Sequence, residues 1–278
     1  NIMSCDINYN INAMYFSPSG TTEKIVKQIS CKLRECIENW DEIQYVDFTC
    51  FKERTKTVKF SRNDIVVFGV PVYAGRVPNV LLTYLNTVKS DGSLAVAAVV
   101  YGNRNFDDAL IELRDILESN GFRVIAAGAF IGEHSFSETL AARRPDEEDI
   151  RSAVNFAEQI CEKIICGKEY DSFVVPGNKP YNSYYRPKNK QGWYVDIRKV
   201  KPKTEINCVR CKLCAESCPM GSINYADVSL LDGICIKCGA CIKKCPVNAK
   251  YFDDEDYLRH KEELELEFAA RREPEFFL

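Results

Sequence analysis

Eight of the chain's 14 cysteines fall within 38 residues, in two copies of one pattern. Cys208, Cys211, Cys214 and Cys218 read CxxCxxCxxxCP, and Cys235, Cys238, Cys241 and Cys245 repeat the spacing 27 residues later, each run closed by a proline, Pro219 or Pro246. Thiolates separated by two residues on a tight turn converge on one soft metal centre. The fourth, set further on and turned by the proline, points to a different centre. The pattern therefore assigns one [4Fe-4S] cluster to Cys208, Cys211, Cys214 and Cys245, and a second to Cys235, Cys238, Cys241 and Cys218. Zinc also takes CxxC pairs, but two four-ligand zinc sites leave the repeated third and fourth cysteines without a reason. A disulfide framework needs a secreted context, and the opening NIMSCDINYN shows no secretory signal.

Gly221, Gly239, Ala215 and Ala240 stand beside these ligands and are expected to let backbone amides approach the sulfides. Residues 204–252 resemble a bacterial two-cluster ferredoxin in all eight ligands and both prolines. The resemblance implies a small pseudo-twofold α+β module that passes electrons singly. The remaining cysteines, Cys5, Cys31, Cys36, Cys50, Cys161 and Cys166, have no ligand spacing and read as reduced thiols of a cytoplasmic protein.

Residues 1–167 alternate strand and helix signals, which points to α/β architecture with a parallel sheet wound on both faces. Strands are expected from Ile7 to Phe16, from Ile43, from Asp64, over Leu94–Tyr101 and from Val124. Helices are expected over Thr21–Asn39, Asn79–Asn86, Phe106–Asn120 and Asp146–Cys166. Where the first strand meets the first helix stand Ser17, Ser19, Gly20, Thr21 and Thr22, hydroxyls and amides suited to a monoester phosphate at a helix N-terminus. The lysine of a Walker loop and the GxGxxG of a dinucleotide fold are missing from this loop.

This segment, over residues 7–167, resembles flavodoxin, whose phosphate loop runs [ST]x[ST]GxT; here it reads Ser17, Pro18, Ser19, Gly20, Thr21, Thr22. The resemblance implies a doubly wound five-stranded parallel sheet holding FMN at the switch point between the first and third strands. It also implies that Pro71, Val72, Tyr73, Ala74 and Gly75 flank the ring, with Tyr73 stacked on it, and that Tyr101, Gly102, Asn103 and Asn105 border its pyrimidine end. Arg76 and Arg104 depart from the acidic flavin rim of many free flavodoxins. His134, just after the fifth strand on the same sheet edge, is a candidate proton donor or substrate contact, or else a loop histidine with a structural hydrogen bond. His260 is given no role.

Residues 168–203 lose periodicity and read as a linker. From Tyr170 to Glu205 there are eight Lys or Arg against three acids, interleaved with Tyr181, Tyr184, Tyr185, Trp193 and Tyr194. Such a strip binds nucleic acid or packs across two domains, and the net charge of −3 on the whole chain favours packing. Residues 253–278 carry ten acids against four bases and read as an acidic C-terminal helix covering the cysteine-rich module. No apolar run reaches the length of a membrane span.

Together the two halves resemble the flavodoxin–ferredoxin fusion proteins of anaerobic bacteria and archaea. The expected function is electron transfer within the chain between FMN and two [4Fe-4S] clusters, with redox proteins such as a ferredoxin, a flavodoxin or a reductase as partners. The alternative is an FMN-dependent reductase of a small substrate fed by the clusters. Oligomeric state is left open.

Overall fold

The computed structural model describes residues 9–37, 41–166 and 173–278. Cys5, the first residues of the expected opening strand and the expected 167/168 boundary lie outside them. The first unit runs β1 (Asn10–Tyr15), α1 (Thr21–Cys36), β2 (Gln44–Asp47), β3 (Lys59–Phe60), β4 (Asp64–Pro71), α2 (Leu82–Leu85), β5 (Lys89–Ser90), β6 (Leu94–Tyr101), α3 (Ala109–Ser119), β7 (Arg123–Ile131) and α4 (Glu147–Ile165). The cysteine-rich unit contributes β8 (Lys203–Thr204), α5 (Leu213–Glu216), α6 (Ala240–Lys243), β9 (Lys250–Tyr251), α7 (Glu255–Glu267) and β10 (Glu275–Phe277).

The main sheet has the order β10-β7-β6-β4-β1-β2. Its five strands from the first unit are mutually parallel. β6 is buried at every residue, as expected where helices cover both faces of a parallel sheet. Val66, Phe68 and Val70 of β4 feed one core, with Leu110 and Leu117 of α3. Ile65 and Val67 feed the other, with Ile25, Ile29 and Leu33 of α1 and Phe156 and Ile160 of α4. The helix expected over Asn79–Asn86 is shorter, a single turn of 3-10 helix leading into α2.

Two features differ from the five-stranded sheet and the single acidic tail helix expected. The tail forms α7, then returns to the first unit, where β10 pairs antiparallel with β7 as a sixth strand. The sequence EPEFFL hides this strand because its pattern is short and its register is set only by the aromatic slot it enters. Phe276 stacks on Phe156 at 4.7 Å and meets Phe130 at 5.4 Å. The edge of β7 is thereby covered.

Candidate functional site

At the carboxyl end of β1, Gly20 takes a φ of 89°, a left-handed conformation that a side chain would strain. It is the N-cap of α1 and has no side chain of its own to close the helix. Ser17 turns inward, where its Oγ accepts the Glu23 N–H at 2.9 Å and its own N–H donates to Thr49 Oγ1 at 2.8 Å. The hydroxyls of Ser19 and Thr21 meet at 3.3 Å. Thr22 Oγ1 is buried and has no partner. A buried orphan hydroxyl at a helix N-terminus is what a bound phosphate would satisfy, so the loop fits the monoester of FMN.

After β4, Pro71 ends the strand and the Val72 N–H donates to Val100 O at 2.9 Å. Tyr73 and Arg76 then close a tight turn whose centre, Ala74 and Gly75, has φ of 53° and 79°. A Cβ on Gly75 would overlap the Asp107 carboxylate. Tyr73 is half-buried and, like Ile236 of the cysteine-rich unit, packs against the core on that face of the sheet. Burial, reinforced by Cys238 and Cys235, pushes its phenol well above the ordinary value, so it stays neutral.

The loop after β6 departs from expectation. Tyr101 is a core residue, its ring 5.6 Å from Phe106. Asn103, expected at the pyrimidine edge, is buried, and its amide is committed to the C-terminal tail. Its Nδ2 donates to Phe268 O at 2.6 Å and Ala270 O at 2.9 Å, and its Oδ1 accepts the Arg272 N–H at 3.2 Å. Asn105 Oδ1 accepts the Asp107 N–H at 2.9 Å. Gly102 lies so close to His134 that a Cβ would overlap the imidazole.

His134 Nδ1 accepts the Phe136 N–H at 3.1 Å, a structural hydrogen bond that fixes the ring. Burial, with Lys243, His260 and Arg104 nearby, pulls its pKa down to about 4, so near neutral pH it carries no acidic proton of an imidazolium. Arg76 and Arg104 are likewise engaged. Arg76 pairs with Glu112 at 2.6 Å and 2.8 Å and lies between the rings of Tyr181 and Tyr184. Arg104 pairs with Asp107 and covers Tyr185. The basic aromatic strip thus packs along the flavin-side loops, and the Tyr185 N–H donates to Ala74 O at 2.9 Å. Trp193 and Tyr194 stay exposed.

The eight paired cysteines fall into two sets of four. Cys218, Cys235, Cys238 and Cys241 line one cavity, while Cys208, Cys211, Cys214 and Cys245 line another. In each run the fourth sulfur crosses to the other run's cavity. No group of three or more His, Cys, Asp or Glu among the described residues is placed to hold a metal ion directly. Four thiols spread around the walls of a cavity fit a cube of iron and sulfide, which is larger than an ion. The Ser222 N–H lies 3.4 Å from Cys218 Sγ and the Ala249 N–H 3.2 Å from Cys245 Sγ, repeated four residues after each closing cysteine. Burial pushes the Cys238 thiol up to about 12 and raises those of Cys241, Cys235 and Cys214. Iron would supply the positive charge that holds them as thiolates.

A continuous seam joins the units at the carboxyl edge of the sheet. Arg54 donates to the carbonyls of Phe48 at 3.1 Å, Thr49 at 2.7 Å and, across the seam, Pro219 at 2.7 Å. A Cβ on Gly221 would enter the Phe51 ring, and one on Gly239 would enter the Ser135 carbonyl. These two glycines therefore serve the seam. Lys243 bonds Glu133 and, at 2.9 Å, the Ser137 carbonyl. Phe136 meets Tyr257 at 4.7 Å, and Tyr257 meets Phe252 at 4.4 Å.

A family model described as a flavodoxin domain matches residues 13–132, and one described as a 4Fe-4S binding domain matches residues 232–251. The chain joins a flavodoxin-like domain to a ferredoxin-like 4Fe-4S domain. The flavodoxin-like domain implies FMN, the second implies iron–sulfur, and together they make this an electron-transfer chain. Among solved structures, the flavodoxin-like domain is similar to an archaeal flavodoxin (15% identity, 56% of this chain and 98% of that one, TM-score 0.39). It is also similar to oxidised flavodoxin 2 from Bacillus cereus (20% identity, 55% and 99%, TM-score 0.40). A third is the flavodoxin of Streptococcus pneumonia TIGR4 (18% identity, 55% and 98%, TM-score 0.38). No curated protein matches the sequence. Among the described residues no helix is long and apolar enough to cross a membrane.

Sequence reasoning passed over Phe51, Arg54, Phe136, Tyr257 and His260, which build the seam. His260 is 6% exposed and stacks on Tyr185 at 5.7 Å. No local pattern marks them, since each gains its role only from a residue far along the chain. Ser222 and Ala249 did carry a signal, because they occupy the same offset in both runs.

Proposed function

We propose that the chain carries electrons internally between FMN, held by Ser17–Thr22 and the loops around Tyr73 and Gly102, and two [4Fe-4S] clusters. When bound, FMN exchanges electrons in pairs or singly and each cluster exchanges one. The observation that carries the reading is that Cys235 and Cys238 lie near enough to Tyr73 to act on its phenol, with Ile236 of the same turn packed against the core that Tyr73 borders. It makes the cavity of Cys218, Cys235, Cys238 and Cys241 the proximal one and that of Cys208, Cys211, Cys214 and Cys245 the distal one. Cys211 is exposed, so the distal cavity faces outward toward a redox protein partner.

The chain's own residues serve this arrangement by holding still. Arg54, Lys243 and the glycine contacts fix the seam, the aromatic strip pins the Ala74 turn, and Asn103 ties the tail across the flavin-side loops. His134, ring-fixed and neutral, is a packing element beside Gly102 in this reading.

The test is anaerobic photoreduction of the flavin in protein loaded with both cofactors, followed by cluster absorbance. First-order bleaching of the clusters at a rate independent of protein concentration supports the proposal. A rate proportional to concentration overturns it.

A further inference from the structure

Two lysines of the ferredoxin-like domain are almost wholly buried, Lys237 at 5% exposure and Lys250 at 4%. Lys237 lines the proximal cavity and Lys250 the distal one. Lys237 Nζ donates to the carbonyls of Arg198 at 2.8 Å and Cys235 at 2.9 Å. Lys250 Nζ donates to Thr204 Oγ1 at 2.7 Å and to the Val228 carbonyl. All four acceptors are neutral, and among the described residues neither lysine pairs with a carboxylate. An ammonium removed from water without a counter-ion costs several kcal/mol, and lysine is almost never fully buried unless paired. Asp196 near Lys237 and Asp227 near Lys250 stand beyond ion-pair distance, which leaves the cavity that each lysine lines as the adjoining place for the missing negative charge.

A cluster bound by four thiolates supplies it, because the thiolates outweigh the positive charge of the core. The two positions are not equivalent in the repeat. Arg210, which matches Lys237 in the first run, is exposed, and Ile223 matches Lys250. Each cavity has thus acquired its cation from a different place.

We propose that Lys237 and Lys250 are buried counter-ions, one to each cluster, which raise the reduction potential of the cluster they face. One electron entering a cluster adds negative charge to a group that is already anionic. A fixed cation in a low-dielectric wall stabilises the reduced form more than the oxidised one. The inference rests on the two-cluster reading.

The experiment is a dye-mediated potentiometric titration of the protein loaded with FMN and iron–sulfur, followed by absorbance and by electron paramagnetic resonance. Lys237→Met is expected to shift one of the two cluster potentials downward and leave the other in place. Lys250→Met is expected to lower the other and leave the first in place. Lys237→Arg and Lys250→Arg keep the charge and should restore the potentials. Where a Met variant loses a cluster, Lys→Gln, which keeps donors to the same carbonyls without the charge, takes its place. Both potentials unchanged in charge-removing variants that retain both clusters would overturn the proposal. The titration is at equilibrium and reads potentials whether or not electrons pass from the flavin, so it fails independently of the transfer scheme. Iron content short of two clusters in the parent chain overturns the two-cluster reading itself.

Discussion

Gly239 approaches Ser135 so closely that a Cβ on the glycine would occupy the space of the serine carbonyl oxygen. Gly239 caps α6 with a φ of 73° and stands next to Cys238, while Ser135 follows His134 in the loop after β7. This contact brings the turn that carries Cys238 against the loop after β7. Because the listener to any added atom is a main-chain carbonyl, the overlap cannot be relieved by a rotamer change.

Gly239→Ala is expected to destabilise the chain by about 2 kcal/mol, from left-handed strain and the backbone overlap. The ferredoxin-like domain should also lift from its seat. Thermal unfolding and the concentration-independent rate of cluster reduction check this. An unchanged rate would show that the seam does not set the separation.

Arg54→Ala removes three hydrogen bonds to carbonyls, one of them across the seam at Pro219. The expected loss is about 2 kcal/mol, since a charged donor leaves buried acceptors unpaired. Limited proteolysis should then cut between the domains sooner, with both cofactor spectra retained.

Phe276→Ala empties the slot between Phe130 and Phe156 and leaves the edge of β7 less well covered. Phe276 is only half-buried, so a loss of about 2 kcal/mol is expected, below the range for a full core phenylalanine. Denaturant melts of the full chain measure it.

Thr22→Val replaces the orphan hydroxyl with a methyl of the same shape. Stability of the FMN-free chain should hold or rise slightly, while FMN binds about tenfold more weakly or worse. Fluorescence titration of FMN reads the second effect, and unchanged affinity would place the phosphate elsewhere.

For His134 the folded-state value of about 4 lies below the ordinary 6.5. Below about pH 6.5 the unfolded chain takes up a proton that the folded chain refuses, so stability falls as the pH drops toward about 4 and then levels off. The full loss is on the order of 3 kcal/mol, and His260, also pushed down by burial, acts in the same direction. Denaturant melts at about pH 7.5 and about pH 5.5 should show a smaller loss for His134→Gln than for the parent chain.

The sequence by itself determined what is local. Cysteine spacing partitions the eight sulfurs between two cavities because the turn after each pair and the proline after each fourth ligand act within a few residues. Strand and helix periodicity predicts the parallel sheet for the same reason, and the Ser17–Thr22 loop follows from hydroxyls met at a helix start. Tertiary structure alone decided which cavity sits beside Tyr73, that Asn103 would hold a tail 165 residues away, and that β10 would leave its own domain to pair with β7. It also decided that Lys237 and Lys250 would be buried with no ion pair to a carboxylate among the described residues. Those outcomes depend on surfaces meeting across long stretches of chain, where burial and close packing choose the partner and no short-range pattern encodes it.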